Sequence, residues 1–61
     1  MRPNEIKSHL KAKSTLLVYF TDSEQPATIL DVAGKSVYVK HGPRKFWIRT
    51  NNKMIERIVV K

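Results

Sequence analysis

The chain has no cysteine, two glycines, three prolines, one tryptophan, and only five acidic residues against twelve basic ones. Without cysteine, neither a disulfide nor a thiolate metal site can staple the fold, so strand pairing and one apolar core must hold it. The same absence fits a reducing cytoplasm, where the chain is expected to reside. Gly34 and Gly42 are too few and too far apart for a glycine-rich phosphate loop, and both suit turns, so no cofactor is expected. The longest apolar run, Leu16 to Phe20, falls far short of the ~20 residues that span a bilayer. Before it lie only the scattered Ile6, Leu10 and Ala12, which do not make the apolar core of a secretory signal. No membrane partner is expected.

What is present is a basic chain of 61 residues with a net charge of +7. That length allows one domain, residues 1–61. A domain of this size buries only ~60% of the surface its unfolded chain exposes, which leaves little protein for an enzyme's pocket. The charge lies within the range of about 2 to 8 that keeps a small domain soluble, so its size alone decides nothing. Its distribution is more telling. Asp22, Glu24 and Asp31 lie together in the middle, whereas Lys35 to Lys61 carries eight cations opposed only by Glu56. Opposite poles are expected on the folded surface.

Catalytic and metal chemistry find little here. His9 and His41 fall in different elements with no carboxylate at ligand spacing, so a zinc site lacks ligands. Glu5 and His9 share i,i+4 spacing, which reads as a solvated helix pair. Asp22, Glu24 and Asp31 would have to converge to hold a hard cation, without the pattern of a calcium loop. Neither histidine has a sequence partner that would activate a nucleophile, and the chain is read as a non-enzyme.

In Arg2 to Lys13, Asn4 is a candidate N-cap, Glu5 falls in the first turn, and Ile6 and Leu10 are spaced i,i+4, which predicts a short helix over residues 1–13; a basic arm is the alternative. From Ser14 on, β-branched and aromatic residues alternate with short breaker clusters. Strands are predicted at Thr15 to Thr21, Ala27 to Ala33, Lys35 to Lys40, Lys45 to Thr50 and Ile58 to Lys61. Pro26 marks a strand start or an edge. Met54 to Arg57 reads as one helical turn before the last strand, with Ile55 and Ile58 inside. Residues 14–61 thus form a small mainly β domain.

The stretch from Lys35 to Thr50 is the most informative. Successive side chains of a strand point to opposite faces. With Val37, Val39, Phe46 and Ile48 turned inward, Tyr38, Lys40, Lys45, Trp47 and Arg49 share the outer face. A slip of one residue would invert this and bury Trp47. The inward choice for Phe46 and Ile48 hides two apolar side chains instead of one. A face of aromatics and cations suits nucleic acid, since phosphates attract Lys and Arg while unpaired bases stack on rings. The candidate nucleic-acid-binding residues are Lys35, Tyr38, Lys40, Arg44, Lys45, Trp47, Arg49 and Lys53.

Pro26-Ala27-Thr28-Ile29-Leu30-Asp31-Val32, then Ser36-Val37-Tyr38-Val39, then Trp47-Ile48-Arg49-Thr50-Asn51 followed by Met54-Ile55, resemble the "PA.I..V....Y.V" and "R.N...I" rhythm of the C-terminal barrels of retroviral and retroelement integrases. Those belong to the Src-homology-3-like small barrels, as do KOW, Tudor and Sm-like modules. The resemblance covers a little over half the chain and includes no catalytic core. It implies a five-stranded antiparallel Src-homology-3-like barrel with a short N-terminal helix, and a tendency to hold DNA or RNA. The expected function is non-enzymatic nucleic-acid binding of low sequence specificity. The alternative is a small protein-interaction module that docks on a larger partner through the loop Asp22 to Pro26.

Overall fold

A computed structural model describes residues 1–61. It contains a helix, α1 (Pro3–Lys11), followed by β1 (Leu16–Phe20), β2 (Ala27–Ala33), β3 (Ser36–His41), β4 (Arg44–Arg49) and β5 (Ile55–Val60). The helix begins at Pro3 with Arg2 as an extended N-cap that makes no side-chain cap bond, so Asn4 lies inside the helix and is not its cap. The proline explains the shift. Its fixed φ suits the first helical position, and its missing N–H would have had no intrahelical partner there. Glu5 in the first turn, and His9 and Lys11 in the last, match the helix dipole.

The helix ends in a Schellman arrangement, with the Ser14 N–H donating to the His9 carbonyl at 2.9 Å and the Lys13 N–H to that of Leu10 at 3.0 Å. This requires a left-handed residue, and Lys13 supplies it at φ +60. A side chain with a Cβ is strained there.

The strands form one antiparallel sheet in the order β4-β3-β2-β1-β5. Its hydrogen bonding leaves two open edges, β4 and β5, so the sheet is not closed. β1 and β2 pair only at Leu17–Thr28 and Val18–Ala27. The sheet curls, because Phe20 on β1 lies 6.4 Å from Phe46 on β4 with two strands between them in the order. Inside the curl sit Ile6, Leu16, Val18, Phe20, Ala27, Ile29, Val37 and Val39. Ile6 reaches this core from α1, with Leu10 packed against it, so the helix covers the inner face. No helix is long and apolar enough to cross a membrane.

The expected helical turn at Met54 to Arg57 is corrected to a strand, since β5 begins at Ile55. Ile55 pairs with Phe20 and Arg57 with Tyr19, which leaves Glu56 as an unpaired bulge residue. The bulge puts Ile55 and Ile58 three positions apart on one face, a spacing that imitates a helix. Lys35, expected to open the third strand, lies instead in the two-residue turn Gly34–Lys35, where Gly34 has φ +58.

Two substitutions test these supports by urea unfolding. Ile6→Ala removes a fully buried side chain and is expected to cost about 2–5 kcal/mol, a large share of the stability of so small a domain. Lys13→Gly relieves the left-handed position and is expected to stabilise by about 0.5–1 kcal/mol.

Candidate nucleic-acid interface

Strands β3 and β4 are joined by Gly42–Pro43, with His41 paired to Arg44. A positive φ at Gly42 (+62) followed by the fixed negative φ of proline fits the type II′ turn, whose twist suits a two-residue hairpin. From that turn the register runs through Lys40–Lys45, Val39–Phe46, Tyr38–Trp47, Val37–Ile48 and Ser36–Arg49. The Thr50 N–H donates to the Lys35 carbonyl at 2.9 Å. Alternation along an antiparallel pair then makes Tyr38–Trp47, Lys40–Lys45 and Ser36–Arg49 the non-hydrogen-bonded pairs, at which side chains approach most closely. Val37 and Val39 are fully buried, and Phe46 and Ile48 pack against the core.

Trp47 is therefore on the outer face and 51% exposed. Its ring lies 5.1 Å from that of Tyr38 at an interplanar angle of 36°. Directly beside this pair, Lys40 and Lys45 face each other across the strands, both exposed, and Arg49 lies on the opposite side, also exposed. None has an acidic partner, because the molecule's one ion pair joins Arg57 to Glu56. Like charges directly opposite on a sheet are destabilising. The hairpin carries that repulsion next to an exposed aromatic platform, an arrangement that an anion with flat rings would relieve.

Comparison with family models, with curated proteins and with solved structures finds no match.

Of the eight candidates, Tyr38, Lys40, Lys45, Trp47 and Arg49 come together on this face. Lys35 and Lys53 lie in the turns before β3 and before β5. Arg44 has the parity of Phe46 and Ile48 and lines a cleft of ≈ 370 Å³ on the inner side, with Phe20, Asp22, Ser23, His41 and Met54. There His41 is held in place. Its Nε2 is 3.0 Å from the Gln25 carbonyl oxygen, and its ring is 5.4 Å from that of Phe20.

Two neighbours on the outer face escaped the sequence reading. A bulge at Leu30 lets Ile29 pair with Val39 and Asp31 with Tyr38, so Asp31 joins the outer face. Its Oδ1 accepts the Val32 N–H at 2.8 Å. The available signal was a carboxylate at a position that strict alternation from Ala27 and Ile29 would bury. Farther along, the Arg57 guanidinium lies 4.2 Å from the centroid of the Tyr19 ring, a cation–π contact that no spacing in the sequence announces. Asp31 stands apart from Asp22 and Glu24, and no three histidine or acidic side chains gather anywhere as a metal site.

Lys45→Glu, which sets an opposite charge against Lys40, is expected to stabilise the fold by about 0.2–1 kcal/mol in chemical denaturation. Trp47→Ala is expected to lose only the ring pairing, about 0.5–1.5 kcal/mol, and to keep the β-rich circular dichroism spectrum.

Proposed function

We propose that the protein is a non-enzymatic nucleic-acid-binding module of low sequence specificity, acting in the cytoplasm, with the curled sheet serving as a Src-homology-3-like small barrel of the kind it resembles in retroelement integrases. One observation carries the reading: the exposed Trp47 ring, paired with the half-buried Tyr38, is flanked by Lys40, Lys45 and Arg49, none of them in an ion pair. The cations take phosphates, and the rings stack on unpaired bases irrespective of sequence. Lys35 and Lys53 add long-range attraction from the neighbouring turns.

Titration of single-stranded oligonucleotides at several salt concentrations tests this. If Lys40, Lys45 and Arg49 each neutralise a phosphate, log K falls with log salt at a slope of about −2, and Lys45→Gln reduces that slope by about 0.7. Trp47→Ala weakens binding by about 1–3 kcal/mol with the fold retained. Absence of binding to single- or double-stranded DNA or RNA at low salt overturns the proposal.

A second reading, docking on a larger protein, is favoured by the cleft beside the Asp22 to Pro26 loop, where Phe46 and Ile48 are half-buried and Met54 is 42% exposed. It predicts a complex that survives nuclease and moderate salt, withstands Trp47→Ala, and is lost on Met54→Glu.

A further inference from the structure

The two open edges of the sheet are built differently. β4 carries Arg44, Lys45 and Arg49 with no acid, so a second copy of the same edge is repelled. β5 reads Ile-Glu-Arg-Ile-Val-Val. Its two charges neutralise each other across 2.7 Å, and the Arg57 guanidinium is further occupied by the Tyr19 ring. In a chain of net charge +7 this edge of six residues carries no net charge and has neither proline nor lysine to guard it.

Its free main-chain groups can be assigned. The Lys61 N–H donates to the Thr15 carbonyl at 2.9 Å, and the register continues through Leu16–Val60, Leu17–Val59, Val18–Ile58 and Tyr19–Arg57. Alternation makes Leu17–Val59 and Tyr19–Arg57 the bonded pairs, so the N–H and C=O groups of Ile58 and Val60 point away from β1. Val60 is 43% exposed beside them.

We propose that β5 pairs antiparallel with β5 of a second copy of this chain, with Ile58 opposite its own counterpart on the two-fold axis. Charge and paired length select that register. Centred on Ile58, Arg57 faces Val59 and Glu56 faces Val60. Centring on Val59 sets Arg57 against Lys61, centring on Arg57 sets it against itself, and centring on Val60 leaves only residues 59–61 paired. The axis stands perpendicular to the sheet, so both outer faces lie on one side of a continuous sheet. The interface holds whatever the outer face binds.

Sedimentation equilibrium from micromolar to millimolar protein, without nucleic acid, tests the pairing. The wild-type chain is expected to reach the mass of a dimer. Val60→Pro removes an N–H that β1 does not use, at an edge position where proline is tolerated. Val59→Lys places an ammonium opposite Arg57. Both variants are expected to keep a cooperative thermal transition and to sediment as monomers; if the proline variant fails to fold, the lysine variant decides. A wild-type monomer at all concentrations, a dimer that persists in the folded variants, or a larger assembly joining β4 to β5 overturns the proposal.

Discussion

The inward burial of Phe46 and Ile48 against Val37 and Val39 is the constraint on which the hairpin, and everything it displays, depends. A strand cannot bury two successive side chains on one face, so fixing these four also fixes Tyr38, Lys40, Lys45, Trp47 and Arg49 outside. The alternative register would hide one indole and expose Phe46 and Ile48, each worth about 1.5–3 kcal/mol when fully buried. Gly42–Pro43 agrees with the packing, since a two-residue turn with a left-handed first position sets the same pairing from the other end. Local turn chemistry and core packing thus support one another at the place where the display face is made.

Sidedness divides the labour of a very small molecule. The inner face, closed by α1 through Ile6 and Leu10, supplies cohesion. The outer face is left uncovered and carries groups that help the fold little or oppose it: an indole half in water and two lysines opposite each other without an acid between them. In a domain with little stability to spare, such a face is retained at the expense of the folded state. Local conflict between residue choice and stability is what a binding surface is expected to show.

Much of this was legible in the sequence because period-two alternation is uninterrupted in β3 and β4. Val37/Val39 and Phe46/Ile48 announced the hairpin register, and Gly42 announced its turn. The bulges were not legible. At Leu30 and at Glu56 one extra residue changes the spacing of inward side chains from two to three, which sends Asp31 to the outer face and makes the start of β5 look helical. Bulges depend on pairing with a neighbouring strand, and a single segment read alone does not contain that information. The helix start was displaced for a simpler reason, because the backbone geometry of Pro3 outweighed the side-chain capping ability of Asn4. Likewise, Arg44 could be counted among the cations from sequence, but only its register shows that it faces the cleft and not the aromatic pair.

The most direct test of this account is collisional quenching of the single tryptophan by iodide, in the free protein and with a saturating single-stranded oligonucleotide. Trp47, exposed among cations that attract iodide, is expected to be strongly quenched in the free protein and shielded in the complex. A blue-shifted emission that iodide leaves unchanged in the free protein would place the indole in the core and contradict the register. Strong quenching that the oligonucleotide fails to relieve would leave the fold standing and refute the assignment of this face to nucleic acid.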